Sequence, residues 1–261
     1  MKKIFRFIPF LLLPFMLTGC GKEELTYRTL DMIRGDGTVN IAFSTDRYPF
    51  MNSESEEYEA LKEADEIYHI EEQIIGNFVK RNGVKVNLVK TSRDEVTKLL
   101  LDGSVDLAFG KIEKNESDKF RVSQSQIFAK EEPYVVTNKD VTIFSLHDLA
   151  DKKVALISGT PLATAVKSDV SNVASDIKQY KSVDNAINQL LLYNIDAVIC
   201  YKAEADSIVA KNSDSLEVNT LADGKMVEYV GLVAKGNDKL LTEVNDSINE
   251  YFYPNLVEEE I

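Results

Sequence analysis

The sequence has little of the residue types that most often build disulfides or metal sites. Its 261 residues include two cysteines, Cys20 and Cys200, and two histidines, His69 and His147. Cys20 belongs to an amino-terminal motif described below, so Cys200 alone remains for the folded part. One thiol cannot close an internal disulfide, and Cys200 in the apolar run "DAVIC" is expected to be a small buried hydrophobic residue. The two distant histidines give no support to zinc binding or to histidine-based nucleophilic catalysis.

Positive charge is also scarce. The chain has 30 Lys and Arg against 43 Asp and Glu, which gives a formal net charge of −13. Three cations, Lys2, Lys3 and Arg6, lie in the first nineteen residues, and without them the remainder stands at −16. Nucleic-acid binding needs a basic face, so this excess argues against a phosphate-backbone partner and favours a solvated surface.

The first twenty residues resemble a bacterial lipoprotein signal. A short basic segment, "MKKIFRF", precedes "FIPFLLLPFM", an apolar run too short to cross a bilayer as a free helix. The next residues, "LTGC" from Leu17 to Cys20, resemble the lipobox, which implies cleavage before Cys20 and acylation of its thiol. Two or three acyl chains would anchor the protein stably to the extracytoplasmic face of the cell membrane. An ordinary secretory signal with a chance cysteine is the alternative.

Strands and amphipathic helices alternate through the rest of the chain. "TVNIAFS" and "VKVNLVK" are predicted strands, and the helix in "EIYHIEEQIIGNFVKRNG" is predicted to stop at Asn82-Gly83. A second helix, "SRDEVTKLLLDG", leads to the strand "VDLAFG", which completes a βαβαβ unit with a parallel sheet. A second such unit begins near residue 145, and "PYVVTNK" and "VEYVGLVA" are the predicted crossings between the two units. This arrangement predicts a ligand cleft between two lobes, at the carboxyl ends of the strands.

These segments, taken in order, resemble the extracellular solute-binding proteins of the polar amino acid uptake family. The resemblance implies an α/β, two-lobed periplasmic-binding-protein type II fold, with a mixed sheet flanked by helices in each lobe. The motifs that carry it are "LDMIRGDGTVNIAFSTDRYPFM", "GNFVKRNGVKVNLV", "LLLDGSVDLAF", "LHDLADKKVALISGT", "NIDAVICY" and "GLVAKGNDKLLTEVNDSI". The expected divisions are a signal peptide (1–19), a lipidated cysteine and tether (20–35), lobe 1 (36–136), lobe 2 (137–225) and a return to lobe 1 with a carboxy-terminal helix (226–261).

The same resemblance implies a site for an α-amino acid, in which an Arg binds the carboxylate and a second-lobe Asp binds the ammonium. When the family segment is laid on Asp106–Val122 without a gap, the Arg position falls on Asp118. The second-lobe Asp position falls on Tyr201. Arg121 is a candidate substitute for the missing Arg, with a surface Arg paired to Asp118 as the alternative. The candidate ligand-binding residues are Tyr48, Phe50, Phe109, Gly110, Asp118, Arg121, Gly159, Thr160 and Tyr201.

Several of these candidates have a structural alternative. Tyr48 and Phe50 line the cleft or pack in the core, and Phe109 and Gly110 border the cleft by position. Gly159 and Thr160 open a helix with Pro161 at its first position, so they bind a ligand oxygen or simply cap the helix. At the end of "VDLAFG" the chain also offers other charges, among them Lys111 and Glu113.

Three functions remain open at this point. The resemblance favours a monomeric, lipid-anchored substrate-binding protein that hands a small polar solute, such as an amino acid, amine or short peptide, to an ABC permease. A sensor or muropeptide-binding domain of the same fold is the alternative, because both charged anchors are replaced. A dehydratase-like enzyme would need Glu113 or Asp118 as a general acid or base. The expectation is a binding protein that is not an enzyme and uses no cofactor.

Overall fold

A computed structural model describes residues 27–44, 65–115 and 120–254 of the chain. Within these ranges the fold has two lobes, each built on a five-stranded sheet with helices packed against it, as predicted. The helices are α1 (Leu30–Asp36), α2 (Glu66–Asn82), α3 (Arg93–Leu101), α4 (Pro161–Ser171), α5 (Val183–Leu191), α6 (Lys202–Lys211) and α7 (Asp238–Phe252). The strands are β1 (Thr38–Ser44), β2 (Lys85–Thr91), β3 (Leu107–Phe109), β4 (Val122–Gln124), β5 (Ala129–Glu131), β6 (Tyr134–Asn138), β7 (Lys153–Ile157), β8 (Asp176–Tyr180), β9 (Ala197–Cys200), β10 (Leu216–Thr220), β11 (Val227–Tyr229) and β12 (Leu232–Ala234).

The first lobe is organised around the predicted βαβαβ unit. Its sheet has the order β2-β1-β3-β12-β4, with β1 parallel to both β2 and β3. The strand β12 arrives from the carboxy-terminal part of the chain and runs antiparallel to β3 and β4. Helix α7 then packs against α2, so the end of the chain returns to the first lobe.

The second lobe repeats the parallel arrangement. Its sheet has the order β10-β6-β9-β7-β8, in which β7 is parallel to β8 and β9, and β6 runs antiparallel to β9 and β10. Cys200, at the end of β9, is 1% exposed, which confirms the prediction of a buried cysteine. Burial raises the pKa of its thiol well above the ordinary value, so the thiol stays protonated.

Two short strands lie between the lobes. The antiparallel pair β5 and β11 forms a separate two-stranded sheet, with Tyr229 opposite Ala129 and Val227 opposite Glu131. The crossing predicted in "VEYVGLVA" contains β11, but "PYVVTNK" contains β6, which is a full member of the second sheet. The first crossing is therefore the preceding β5, and the expected boundary after residue 136 falls inside a strand.

The start of the described chain is bound to the first lobe. The guanidinium of Arg28 forms a bidentate ion pair with Asp106, in which Nε lies 3.0 Å from Oδ1. It also contacts Asp36 at 2.9 Å. It donates a further hydrogen bond to the carbonyl oxygen of Thr38. The buried Asp106 also accepts from the backbone N–H of Asn40 at 2.7 Å, so its carboxylate joins the segment before α1 to the sheet.

The hydrophobic core is shared by the two lobes. Its largest cluster includes Val39 and Ile41 from the first sheet and Val154 and Leu156 from the second, all fully or almost fully buried. Among the described residues, no helix is long and apolar enough to cross a membrane. The same ranges contain no group of three or more His, Cys, Asp or Glu side chains arranged to hold a metal ion.

Candidate functional site

The ends of β3 and β9 meet at the boundary between the lobes. The chain leaves β3 through Gly110 and Lys111, and it leaves β9 through Tyr201, the N-cap residue of α6. The ammonium nitrogen of Lys111 lies 4.9 Å from the centre of the Tyr201 ring. The carboxyl ends of strands from both lobes therefore face one another, where the fold places a ligand cleft.

A tight turn after β3 directs Lys111 toward this boundary. Gly110 has a φ of 108°, and a Cβ added there would lie 2.5 Å from the backbone nitrogen of Ser44. Lys111 also has a positive φ, 54°, which is uncommon for a residue with a side chain. The N–H groups of both turn residues donate to Oε1 of the buried Glu71, at 3.0 and 2.7 Å. The turn is thus fixed by one carboxylate of α2.

Four side chains of the described residues lie around the ammonium group of Lys111 and are called here the cation cage: Asp65, Glu131, Tyr201 and Tyr229. Its Nζ lies 2.8 Å from Oε2 of Glu131 and 3.4 Å from Oδ2 of Asp65. It also lies over the rings of Tyr201 and Tyr229, with 4.9 and 5.5 Å to the ring centres. The Lys111 side chain is only 3% exposed. Carboxylates beside aromatic faces are the groups that bind a desolvated ammonium.

The cage draws residues from both lobes and from the two strands between them. Asp65 precedes α2 of the first lobe, where its other oxygen accepts from the N–H groups of Ile67 and Tyr68 and caps the helix. Glu131 and Tyr229 end the two strands between the lobes, and Tyr201 belongs to the second lobe. The cage is therefore complete only when the lobes lie together.

The hydroxyl of Tyr229 tightens the cage. It donates a hydrogen bond to Oε2 of Glu131 at 2.7 Å, the same oxygen that contacts Lys111. Burial raises the pKa of Tyr229 well above its ordinary value, and the neighbouring Tyr201 and Glu131 act in the same direction. The hydroxyl thus remains a proton donor at any physiological pH.

The amino terminus of α4 is closed by the protein's own oxygens. Pro161 at the first position has no N–H, and the N–H of Leu162 donates to the hydroxyl of Tyr201 at 3.1 Å. The N–H of Ala163 donates to Oγ1 of Thr160 at 3.2 Å, and that of Thr164 to the carbonyl of Thr160. The Thr160 hydroxyl thus serves as a helix cap, which leaves no free N–H in this first turn for a ligand carboxylate.

A buried carboxyl lies behind Tyr201. Glu204, on α6, is 3% exposed, and its Oε2 accepts from the N–H of Tyr201 at 3.0 Å. Its other oxygen, Oε1, has no hydrogen-bond partner within the described parts of the chain. Burial raises the pKa of Glu204 to about 8 and Glu131 adds to the rise, whereas the Tyr201 N–H and the charge of Lys111 act against it. Glu204 is therefore mostly protonated at neutral pH.

The structure brings only part of the predicted set together. Tyr201, Thr160 and Gly110 lie at the boundary, whereas Arg121 is exposed and Gly159 lies on the surface with a φ of 81°. Phe109 is 2% exposed and packs into the core against Phe128 and Gly231, where a Cβ would come within 2.9 Å of the Phe109 ring. The predictions for Cys20, Tyr48, Phe50 and Asp118 lie outside the described residues.

Sequence reasoning missed most of the cage. Lys111 was visible as a charge directly after Gly110, and its place at a strand end is the signal that could have singled it out. Asp65 falls in an acidic segment whose charge alone has no distinguishing feature. Glu131 and Tyr229 sit on three-residue strands that show no periodicity, so their meeting across the chain has no signature in the sequence.

Glu113, the candidate acid or base of the dehydratase hypothesis, is held by contacts with neighbouring elements. It forms an ion pair with Arg93, and its backbone bridges to Tyr229 outside the regular strands. The ion pair holds the segment after Lys111 to α3, and the bridge holds it to β11. The carboxylate of Glu113 is thus paired with a guanidinium rather than positioned by a neighbouring base.

Comparisons with known proteins agree with this architecture. A search of curated protein sequences finds no significant match. Among solved structures, the P235GK mutant of ArgBP from T. maritima is similar with a TM-score of 0.57 and 22% identity over 88% of this chain and 95% of that one. An ABC uptake transporter substrate binding protein from Streptococcus pneumoniae, with bound histidine, gives 0.60 and 15% identity over 88% and 92%.

A third similar structure is an ancestral amino acid-binding protein described as a precursor of cyclohexadienyl dehydratase. It has a TM-score of 0.58 and 21% identity over 88% of this chain and 96% of that one. At these identities the likeness establishes the two-lobed fold. Residues 50–253 also match the family model of the bacterial extracellular solute-binding proteins, family 3, which covers well over half of the chain. The chain therefore belongs to the family 3 bacterial extracellular solute-binding proteins.

Proposed function

We propose that this protein is a lipid-anchored, extracytoplasmic solute-binding protein that takes a small organic cation between its lobes and delivers it to an ABC permease. The observation that carries the proposal is the cation cage, where Asp65 and Glu131 and two tyrosine rings surround an ammonium group. Family membership supports solute binding as the general role. The cage supports an amine as the ligand class within that role.

The same boundary gives little to hold an α-carboxylate. Arg121, the candidate for the family arginine, is exposed. The helix start that could add N–H donors is occupied by Tyr201 and Thr160. Tyr201 also stands where the resemblance places the ammonium-binding Asp. A carboxylate brought near Asp65 and Glu131 would meet like charges in a buried setting, which is strongly unfavourable. An amine without a carboxylate suits the boundary better than an amino acid.

Thermal-shift titration of the chain from Gly21 tests the ligand class. This chain contains every residue that the structure describes, 27–44, 65–115 and 120–254. Primary alkylamines, diamines and quaternary ammonium salts are compared with free amino acids, neutral alcohols and carboxylic acids at constant ionic strength. A ligand at 100 times its Kd should stabilise the protein by about 2.7 kcal/mol. Stabilisation by amines only is expected, and stabilisation by carboxylic acids with silent amines would contradict the proposal.

Two neighbouring glutamates provide a matched control for this titration. Glu131→Gln keeps the size of a cage side chain but removes its charge, whereas Glu132→Gln changes an exposed residue beside it. The amine-induced shift, measured from each variant's own baseline, should fall sharply in Glu131→Gln and persist in Glu132→Gln. Equal shifts in the two variants would remove the cage as the binding site.

The lipid anchor has its own test, because the chain has two cysteines that can be compared. Expression of the full chain in a lipoprotein-processing bacterium, followed by detergent phase separation, should place the wild-type protein in the detergent phase. Cys20→Ala should move the protein to the aqueous phase, whereas Cys200→Ala, which changes a buried core residue, should leave it with the detergent. An unchanged distribution in Cys20→Ala would rule out anchoring through this residue.

A sensor or cell-wall interaction domain is the second candidate. The observation in its favour is that Lys111 already fills the cage, as expected of a cleft that no longer exchanges small solutes. Binding of muropeptides with all free amines and amino acids silent would favour this role. Amine binding in the micromolar range, abolished by Glu131→Gln, would exclude it in favour of solute uptake.

A further inference from the structure

We propose that Lys111 is an internal ligand: its ammonium group occupies the cation cage in the ligand-free protein, joins the two lobes, and is displaced when an organic cation binds. The inference rests on the proposed function in one respect: the organic cation that displaces Lys111 is the solute that the protein is proposed to bind. The cage itself, and its preference for an alkylammonium group, can be tested without any knowledge of the natural solute.

The contacts of Lys111 are those of a bound amine. Its Nζ meets two carboxylates, at 2.8 and 3.4 Å, and two aromatic faces, and the side chain is almost completely buried. The carboxylates are themselves little exposed, at 4% for the side chain of Asp65 and 11% for that of Glu131. The ammonium therefore offsets the repulsion between two little-exposed negative charges that lie close together.

The backbone at Lys111 is fixed, so only the side chain is free to exchange. Its N–H is bound by Glu71, its carbonyl oxygen accepts from Arg93 at 3.2 Å, and Gly110 before it lies against Ser44. The four-carbon stem carries the charge away from this fixed point and across the boundary to Tyr201. A lysine side chain has several rotatable bonds, so the ammonium can withdraw while the turn stays in place.

The charge balance of the cage indicates which cations would compete. Within the described residues, the two carboxylates of the cage contact a single ammonium. An incoming primary amine replaces the contacts of Lys111 without loss, and a diamine matches both carboxylates. The class of competitor is therefore an alkylamine or diamine, and a neutral molecule of the same shape would leave the carboxylates unpaired.

Chemical complementation of Lys111→Ala tests the internal ligand directly. Alanine keeps the Cβ and the positive φ, so the atoms removed correspond to n-propylammonium. We expect n-propylammonium chloride to raise the Tm of Lys111→Ala by several degrees at millimolar concentrations. At equal ionic strength it should raise the Tm of the wild-type protein much less, because the tethered ammonium of Lys111 competes for the cage. Propan-1-ol should have no effect on either protein. Equal responses of Lys111→Ala and the wild-type protein to n-propylammonium would overturn the inference.

Two further variants separate the cage from general effects of charge and packing. Lys114→Ala removes a lysine that pairs with Glu228 outside the cage, and it should show no complementation. Lys111→Met fills the space of the stem, so it should respond less to n-propylammonium than Lys111→Ala. If Lys111→Ala does not fold alone, we expect n-propylammonium to restore its folding in a concentration-dependent way. The proposal would be refuted if Lys111→Ala failed to fold at every amine concentration and Lys111→Met bound diamines no more tightly than the wild-type protein.

A competition measurement distinguishes this inference from the proposed function. Putrescine is titrated by calorimetry into the wild-type protein and Lys111→Met, and at least tenfold tighter binding to the variant is expected because no internal ammonium competes. Equal affinity in both proteins would refute the internal ligand and leave amine binding intact. Complementation of Lys111→Ala with no amine bound by the wild-type protein would keep the internal ligand and refute the proposed uptake of amines.

Discussion

Gly110 shows how the absence of one side chain shapes the site. Its Cα lies against the backbone of Ser44, where an added Cβ would come within 2.5 Å of the nitrogen and 2.8 Å of the carbonyl oxygen. Backbone atoms cannot rotate aside as a side chain can, and the φ of 108° is itself strained for any other residue. Gly110→Ala should therefore displace the turn and destabilise the protein by about 2–4 kcal/mol, measured by urea unfolding.

Gly76 provides the control for this substitution. It lies inside α2, and a Cβ added there meets nothing within 4 Å. Alanine in a helix interior is better than glycine by about 0.5–1 kcal/mol, so Gly76→Ala should stabilise the protein slightly. Destabilisation of similar size in both variants would show that the close contact at Gly110 is unimportant.

Glu204 should make stability depend on pH. The unfolded carboxyl ionises near its ordinary pKa of 4.5, whereas the folded one holds its proton up to about pH 8. The folded state therefore binds more protons in this window, and the contribution of Glu204, full below pH 4.5, is lost as the pH rises toward 8. Glu204→Gln, which stays neutral, should gain stability over the wild-type protein by up to about 1.4 kcal/mol for each pH unit in this window.

Urea unfolding at pH 5, 6, 7 and 8 measures this difference. Glu132→Gln, a change at an exposed carboxylate, serves as the control and should follow the wild-type protein at every pH. A difference between Glu204→Gln and wild type that stays constant from pH 5 to pH 8 would mean that Glu204 is ionised in the folded protein. The cost of burying that charge would then be offset by more than the Tyr201 N–H and the ammonium of Lys111.

At the scale of elements, helices α3 and α4 form a natural pair for measuring a helix cap. Thr160 caps α4 by accepting from the N–H of Ala163, whereas Ser92 occupies the same position of α3 without a side-chain capping bond. Thr160→Ala should cost about 1 kcal/mol or more, because the helix loses a buried acceptor, and Ser92→Ala a few tenths of that. Chemical denaturation of both variants measures the two losses in the free energy of unfolding. Equal losses would contradict the difference in capping between the two helices.

Most secondary elements were predictable because their determinants are local. Helix α2 has its apolar residues at helical spacing and ends at Gly83, which takes the left-handed conformation with a φ of 64° and donates to Val79. Strand β1 has the predicted limits, Thr38–Ser44. Pro161 and Thr160 mark the start of α4 as expected. In each case the residues that decide the structure are neighbours in the chain.

The site was less predictable because its partners come from distant segments. Lys111 reaches Glu131 and Tyr229 only through the pairing of β5 with β11, two strands of three residues each. The hydroxyl of Tyr201 caps a helix that begins far earlier in the chain, at Pro161. The resemblance placed Tyr201 directly after the strand that is β9 in the structure. It gave no indication that the hydroxyl of Tyr201 would accept a hydrogen bond from the backbone N–H of Leu162.

At the scale of the whole molecule, the shared core argues for cooperative unfolding. The largest buried cluster contains residues of both sheets, and α4 of the second lobe packs against β11 between the lobes. Neither lobe can lose its structure without exposing part of this cluster. Differential scanning calorimetry should therefore show one transition with equal calorimetric and van't Hoff enthalpies. Two separate transitions would show that the lobes unfold independently.

The ion pair between Arg28 and Asp106 attaches the start of the described chain to the first lobe. The chain that leads back to Cys20 emerges beside this ion pair, so under the proposed lipid anchoring any traction from the membrane is carried into β3 and β1 of the first lobe. The second lobe receives no direct contact from this ion pair, whose described partners all belong to the first lobe. Under the proposed anchoring and exchange, the first lobe would be the stationary platform, and the second would move toward or away from it as a solute replaces Lys111.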